Sequence, residues 1–478
     1  MTTPPPNPRN IVVATADTLS TRMAGPAIRA LRVARALAAE HNVRLVTTGR
    51  ADLSDDLVSV ETVSEQGLRR VMDWCDVFVF QGWILAGRPY LSGSDKVLVA
   101  DIYDPMHLEQ LEQGHESGSE DARWQAVADT TTVLNEQLLR GDFLMCASAR
   151  QRDFWLGQLA ALGRINPATY DEDESLGRLV AVVPFGVDEE PPRMEHGLVK
   201  GVIPGIGVDD RVVLWGGGIY NWFDPLTLIR AIDRLRQRLP DVRLVFMGLR
   251  HPNPEIPTMR MAHEARQLAD TLAITGTHVF FNDAWVPFAE RARFLLDADV
   301  GVSTHLHHVE TEFSYRTRIL DYFWAGLPVV STGGDALGAL IEERALGLTV
   351  PPGDVDALER ALERLLCDDE LIQRCRANIA TIVPELHWSV VLAPLIEFCR
   401  SPRRAPDLAD PDRAIHLGIT AQLSSRRGLR ADTRLALRYL RDGGVPLLVA
   451  RARSRLRRKL RGRAVSVESR DPPSQETR

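Results

Sequence analysis

Short unbroken apolar runs alternate with longer segments of helical periodicity along most of the chain. Asn10-Ile-Val-Val-Ala-Thr-Ala16 is the first such run, the pattern of a strand buried on both faces. A polar loop follows from Asp17 to Ala24. Gly25-Pro26 then opens a segment with apolar Ile28, Leu31, Val33 and Leu37, and Pro26 fits a first helical turn. Further strands are predicted at Val43–Thr47, Val77–Phe80, Lys96–Ala100 and Phe143–Ala147. Strands alternating with helices give a doubly wound parallel sheet. Val183-Pro-Phe-Gly-Val-Asp188 is turn-rich, and after it the pattern restarts. Strands are predicted at Val212–Trp215, Val242–Met247, Val279–Phe281, Val300–Val302, Val329–Ser331 and Leu348–Val350, with helices over Pro225–Leu239, Asp354–Cys367, Leu371–Ile382 and His387–Arg400. The fold class is α/β, with two Rossmann-like units facing a cleft.

The stretch Glu310-Thr-Glu-Phe-Ser-Tyr-Arg-Thr-Arg-Ile-Leu-Asp-Tyr-Phe-Trp-Ala-Gly-Leu-Pro-Val-Val330 carries the most chemistry. Glu310 and Glu312 are expected in a loop. Helix formers follow, with Ile319, Leu320, Phe323 and Trp324 on one face and a stop at Gly326. Arg316 and Arg318 fall in the first turn beside the acidic loop. Both signs of charge in one place suit a ligand with phosphates and hydroxyls, such as a nucleotide sugar.

This stretch resembles the donor-site motif of GT-B glycosyltransferases of family 4. There an acidic loop residue and Phe-Gly lead into a helix whose Glu is followed by Ala-x-Ala-x-Gly-x-Pro-Val. Ala325-Gly-Leu-Pro-Val-Val330 matches the end of the motif. The family's helix Glu, which holds the ribose hydroxyls, falls on Asp321. The loop Glu falls on Phe313, and the nearest carboxylate is Glu312, one residue off register. Ser-Tyr-Arg replaces Phe-Gly. Val183–Asp188 resembles the family's Pro-x-Gly-Val-Asp hinge. The resemblance covers about residues 8–400. It implies an acceptor domain over 8–185, a nucleotide-sugar donor domain over 186–385, and a segment over 386–401 that crosses back to the first domain. A linker and Arg-rich tail occupy 402–478.

Trp215-Gly-Gly-Gly218 joins a predicted strand to a helix, where glycines let backbone N–H groups approach a diphosphate. An ordinary tight turn has the same composition. The carboxyl end of a strand is where open α/β sheets bind ligands, so Gly217 and Gly218 are candidates. The family's Gly-Arg and later Lys are replaced by Tyr220, Asn221 and Asp224. The chain has three lysines, Lys96, Lys200 and Lys459, and none falls in position. Arg316, Arg318 and Arg250 are the substitutes expected to meet the donor. Gly25 is the counterpart in the first half. Asp101, Asp104 and His107, in Ala100-Asp-Ile-Tyr-Asp-Pro-Met-His107, are the candidates that the resemblance places near the sugar, with Asp104 and His107 preferred; Asp104 before Pro105 also suits a helix N-cap. Arg318 joins them as a candidate catalytic group. His305-Leu-His-His308 lacks the ligands that would complete a zinc set, and hydrogen bonds to sugar hydroxyls are expected of it instead. No metal and no cofactor are expected, the nucleotide sugar being a substrate.

Composition bounds the remaining possibilities. Apolar content of 45% and charged content of 25% are those of a globular protein. The five cysteines lack metal or disulfide spacing, and neither a signal peptide nor a membrane-spanning run is evident. A cytoplasmic location is expected. The net charge of −7 hides a basic stretch, residues 426–463, with 14 Lys/Arg against 2 Asp/Glu. Within it, 446–463 places apolar Leu447, Leu448, Val449, Leu456 and Leu460 among eight positive charges. A basic amphipathic helix suits an anionic membrane surface; packing on the acidic body or contact with nucleic acid are the alternatives, and nucleic acid is not the expected partner. The combined expectation is a retaining glycosyltransferase acting on a glycan or lipid-linked acceptor. A sugar-nucleotide epimerase and a non-catalytic scaffold remain open. No G-x-G-x-x-G follows the first strand, which argues against a dehydrogenase.

Overall fold

The computed structural model describes residues 8–116, 119–194, 196–249 and 259–409. Two parallel sheets dominate it. The first contains β1 (Asn10–Thr15), β2 (Asn42–Thr47), β3 (Ser59–Thr62), β4 (Val77–Gln81), β5 (Val97–Asp101), β6 (Phe143–Cys146) and β7 (Val180–Val182), in the order β3-β2-β1-β4-β5-β6-β7. The second contains β8 (Arg211–Trp215), β9 (Val242–Phe246), β10 (Val279–Phe281), β11 (Val300–Ser303), β12 (Val329–Thr332) and β13 (Gly347–Val350), in the order β10-β9-β8-β11-β12-β13. The order reverses between β1 and β4 in one sheet and between β8 and β11 in the other. These are the switch points at which open α/β sheets form crevices.

The apolar runs become central strands because helices cover both faces. Every residue of β4 and of β11 is buried. Helix starts near the crevices are capped by side chains. Ser148 accepts from Gln151 N (3.1 Å), and Asp224 accepts from Thr227 N (3.0 Å). Each oxygen satisfies one of the donors that a first turn leaves unpaired.

The expected helix over His387–Arg400 is two helices, Trp388–Val391 and Ala393–Arg400. Pro394 is the cause: it supplies no N–H and sits where only a first turn tolerates it. The second helix does pack on the first sheet, with Phe398 stacked on Phe143 at 4.5 Å. The expected linker from 402 begins with an ordered stretch. Helix Pro406–Ala409 inserts Asp407 against Arg164, which has no solvent exposure, at 2.7 Å. Arg250 and the whole basic stretch 426–463 lie outside the described residues. Among the described residues no helix is long and apolar enough to cross a membrane.

The two sheets meet across a cleft. Trp285 Nε1 donates to the Met23 carbonyl (3.1 Å), Phe288 N to the Thr21 carbonyl (2.9 Å), and Gln151 Nε2 to the Phe313 carbonyl (2.7 Å). Gly186, in the turn between the halves, packs so closely that a Cβ would lie 2.9 Å from Trp388 and Val391.

Candidate active site

The cleft between the sheets has a volume of about 760 Å3. Its second-domain wall is the turn after β8. Gly217 has φ +77°, a conformation that L side chains rarely adopt, so the middle glycine is required there. Three side chains hold this turn. The Tyr322 hydroxyl accepts from Gly216 N (2.7 Å) and directs its one hydrogen between the carbonyls of Leu214 (3.0 Å) and Val302 (2.9 Å). Trp215 Nε1 donates to the Gly218 carbonyl (3.2 Å), and Arg318 Nη2 donates to the same oxygen (2.8 Å).

Arg318 is the first residue of helix Arg318–Trp324. Its guanidinium lies 4.1 Å from the Phe223 ring centroid and 4.5 Å from that of Trp215. Burial pulls it down to about 10, so it remains a cation at neutral pH. Its Nη1 is buried and has no hydrogen-bond partner. A buried cation with an unmet donor, lining a cleft beside a glycine turn, suits an anionic ligand.

Arg316 is placed differently. Both of its terminal nitrogens donate to Glu310, at 3.0 and 2.6 Å, and both side chains are buried. Glu310 is not in a loop but in the short helix Val309–Phe313. Glu312 does not reach the cleft. Residues two apart on a helix point to different sides, and Glu312 lines a separate concavity with Arg150 and His307. The carboxylate that enters the cleft is therefore Glu310 rather than the expected Glu312.

Asp321 lines the cleft, and its Oδ1 meets Arg291 Nε at 3.2 Å. Burial raises its carboxyl above the usual range. Arg291 also reaches Asp188 (3.5 Å) and lies 3.6 Å from the Phe288 ring centroid. Gly25 lines the opposite wall, where a Cβ would touch only Phe185 at 4.0 Å, so space does not dictate that glycine.

Asp104 also lines the cleft, but its N-cap role does not materialise: Pro105 occupies the cap of helix Met106–Gln113 without a side-chain bond. Its carboxyl instead hydrogen-bonds Glu109, and the pair lies near Glu310. Burial comes first and like charge adds to it, so both carboxyls are raised, Asp104 to about 7. His107 faces away from the cleft. Its ring packs on Phe154 at 5.5 Å and Trp155 at 5.9 Å, and burial lowers it to about 4. An apolar face, not a sugar, surrounds it.

The histidine loop is also internal in part. His305 has no exposure, its Nε2 stands 3.7 Å from Asp335 Oδ2, and burial lowers it to about 3. Asp335 caps helix Ala336–Arg344 through Gly338 N (2.5 Å). His308 lies 3.7 Å from Glu310 Oε2.

Sequence reasoning missed Arg291, Glu109, Asp17 and the inward role of Glu310. Glu310 had a signal, the helical spacing of the short segment around it. Asp17 follows a strand, while Glu109 and Arg291 belong to the helices Met106–Gln113 and Arg291–Leu295, where no periodicity singles out the inward charge.

Two switch-point crevices facing one cleft define a GT-B protein. Residues 210–368 match the family described as glycosyl transferases group 1. The chain is 27% identical over 227 residues to a phosphatidyl-myo-inositol mannosyltransferase of Mycolicibacterium smegmatis, covering 47% of this chain and 52% of that protein. It is 28% identical over 188 residues to an alpha-D-kanosaminyltransferase of Streptomyces kanamyceticus, covering 39% and 44%. The matched stretch thus spans about half, or less, of these curated relatives. Among solved structures, Anabaena Alr3699/HepE in complex with UDP and glucose superposes with a TM-score of 0.60 at 15% identity, covering 82% of this chain and all (100%) of that one. At that identity the likeness is one of fold.

Proposed function

We propose that the chain is a retaining glycosyltransferase that moves a sugar from a nucleotide-sugar donor to an acceptor hydroxyl, in the synthesis of a cell-surface glycan or glycolipid. The observation that carries this reading is Arg318: a buried cation, bonded to the Gly218 carbonyl and with Nη1 unpaired, at the turn where a donor diphosphate would lie. In this reading the bond between the anomeric carbon and the diphosphate oxygen breaks. The leaving charge is met by Arg318 and by the backbone N–H groups of the glycine turn, a preformed electrostatic stabilisation. Asp321 receives the ribose hydroxyls. The acceptor oxygen forms the new bond on the same face, and its proton passes to the departing diphosphate. No metal has a role in this scheme. The relatives' names support the reaction class, and retention rests on the family resemblance.

The basic segment 446–463 is proposed to hold the enzyme on the inner, anionic face of a membrane, where each basic residue near the surface contributes about 1 kcal/mol. A lipid-linked acceptor would then be within reach.

The test is a thermal-shift screen of nucleotide sugars, followed by incubation of the stabilising donor with and without acceptors. Acceptor-dependent nucleotide release, with the donor's anomeric configuration retained in the product, is expected. A changed sugar with donor alone would indicate an epimerase. Binding without turnover across acceptors would indicate a scaffold.

A further inference from the structure

Two arginines and two aspartates form a row of alternating charge that runs from the first domain to the cleft. Arg32 lies on helix Gly25–Ala38, which packs on the first sheet. Its Nη2 stands 2.5 Å from Asp188 Oδ1. Asp188 ends the turn-rich segment between the halves, and its Oδ2 accepts from Arg291 Nη2 at 3.5 Å. Arg291 opens helix Arg291–Leu295 of the second domain, and its Nε stands 3.2 Å from Asp321 Oδ1. Of the four, Arg291 and Asp321 line the cleft, and Asp188 and Arg32 do not. The Phe288 ring meets both arginines, its centroid 5.4 Å from the guanidinium of Arg32 and 3.6 Å from that of Arg291. Trp324 also lies against Arg291, at 4.9 Å.

The row is neutral while Asp321 is ionised. Protonating Asp321 would leave two mostly buried guanidiniums to share Asp188, a costly arrangement. Arg35 and Glu189 also act on Arg32, with opposite signs. Burial raises the Asp321 carboxyl; Arg291 opposes that rise, and Asp188 adds to it. Arg291 thus favours a carboxylate, which only accepts hydrogen bonds, at this point of the cleft wall. Held by Asp188 and by two rings, it offers Asp321 a fixed partner. The fit along the row is close but not fully aligned. Arg32 Nε, Asp188 Oδ1 and Arg291 Nε are all buried without an aligned hydrogen bond. Charges at ion-pair distance with unaligned donors gain strength from small shifts, because hydrogen bonds depend steeply on angle.

We infer that the row positions the donor's ribose. Arg291 holds Asp321 as an ionised acceptor for the ribose hydroxyls, and Asp188 and Arg32 hold Arg291. The inference rests on the glycosyl-transfer reading and on Asp321 as the ribose site. It adds that the first domain takes part in reading a ribose bound by the second. Charge-assisted hydrogen bonds are about twice as strong as neutral ones, so a hydroxyl gains most from Asp321 when that side chain is charged and still. Removing the charge at Arg291 should therefore weaken the ribose contact. It should spare the diphosphate contacts of Arg318 and the glycine turn, because those groups are not members of the row. Arg32 acts from further off, through Asp188, and its effect should have the same one-sided character. The coupling is reciprocal: a ribose held by Asp321 also strengthens the pairing of Arg32 with Asp188. Arg32, Asp188 and Arg291 are positioning residues in this account.

The experiment is calorimetric titration of the full chain with UDP, GDP and ADP and with their 2′,3′-dideoxy counterparts. For the nucleotide that binds most tightly, the wild type is expected to prefer the ribose form by about tenfold or more, the scale of a charge-assisted hydrogen bond. Arg291→Gln should weaken the ribose form by about tenfold and leave the dideoxy form within about twofold, so that the preference collapses. Arg291→Lys should keep part of the preference, since the charge remains and the planar fork is lost. Arg32→Gln should reduce the preference by about threefold, the scale of coupling through a contiguous network. A merely structural role would weaken both forms alike. Equal weakening of the two forms, or an unchanged preference in either glutamine variant, would overturn the inference. If Arg291→Gln does not fold, Arg291→Lys and Arg32→Gln carry the same comparison. A wild type that binds nucleotides without a ribose preference would remove Asp321 from the ribose site, and the inference with it, while leaving the glycosyl-transfer reading standing. Failure of every nucleotide to bind would sink that reading as well.

Discussion

At the scale of single residues, the cleft divides its charges into those already engaged and those still open. Arg316 is committed to Glu310 by two hydrogen bonds. Each arginine keeps one buried donor unmet, Arg316 Nε and Arg318 Nη1, but Arg318 has no carboxylate partner among the described residues. Arg318→Ala is therefore expected to lower turnover by roughly 10²-fold or more, the scale of losing a preformed charge donor. Arg318→Lys should recover only part, because an ammonium cannot bond the Gly218 carbonyl and a ligand with one planar fork. A lysine variant of full activity would show that a point charge suffices. Asp321→Asn should weaken nucleotide binding by about 1–3 kcal/mol, measured by calorimetry, and an unchanged affinity would remove it from the ribose site. His305 gives a pH prediction of definite sign. Its folded pKa, about 3, lies below the ~6.5 of a free imidazole. The stability it contributes is fully present above pH ~6.5 and is lost as pH falls toward 3, by up to ~1.4 kcal/mol per pH unit. The neighbouring Asp335 carboxyl is raised by burial, and its contribution is lost instead as pH rises through its folded value. Comparing variant with wild type isolates the histidine: His305→Gln should flatten the acid limb of denaturant-measured stability between about pH 4 and 6.5. An identical slope in the two proteins would contradict this.

At the scale of elements, one tyrosine ties a helix to two strands and to the glycine turn. Tyr322 stands directly over Gly301 of β11, where an added Cβ would lie 2.4 Å from the ring. Gly301→Ala must displace the ring, and the hydroxyl with it. It is expected to cost about 1–3 kcal/mol of stability by overpacking and to weaken donor binding as the turn loosens. Tyr322→Phe keeps the packing but leaves Gly216 N–H without its buried partner, again about 1–3 kcal/mol. If both variants bind nucleotide as tightly as wild type, the turn is held by its own glycines alone. The same elements show what the sequence could reveal. The central strands were legible because burial on both faces writes them as unbroken apolar runs. β3, Ser59-Val-Glu-Thr62, is an edge strand with no fully buried residue, and β7 has three residues, so neither leaves such a run. The long helix Glu120–Arg140 was also not anticipated; its buried residues cluster in the second half, and its first turns, Trp124 included, have no buried residue to mark a periodic face. The position of Glu312 followed from spacing along a motif, whereas a single turn of helix brought Glu310 inward instead. Asp17, Glu109 and Arg291 meet the cleft only because distant segments fold against it. The partnership of Arg291 with Asp321 spans thirty positions and leaves no local pattern, whereas that of Glu109 with Asp104 spans five.

At the scale of the whole molecule, the question is where the folded body ends and the tail begins. Proline at 402 and 406 reads as a linker, yet residues 404–407 are fastened to the first domain. Arg404 Nε and Ala405 N both reach Asp142 Oδ1, at 2.9 and 3.0 Å. Asp407 bonds Arg164 Nε, and Arg164 Nη1 also donates to the Leu138 and Gly141 carbonyls. A chain ending at Arg400 would leave Arg164 buried without its carboxylate, a loss of about 3–5 kcal/mol. A chain ending at Ala409 keeps every one of these contacts. The two truncations should therefore separate the roles of strap and tail. Ending at Ala409 is expected to preserve melting temperature and donor binding, while abolishing binding to anionic vesicles because the basic residues of 426–463 are gone. Ending at Arg400 should lower the melting temperature markedly as well. Vesicle binding by the full chain should weaken with added salt, since exposed charges are screened over about 8 Å at physiological ionic strength. If the full chain ignores anionic vesicles at low salt while the Ala409 truncation melts early, the basic segment is a packing element of the fold and not an anchor.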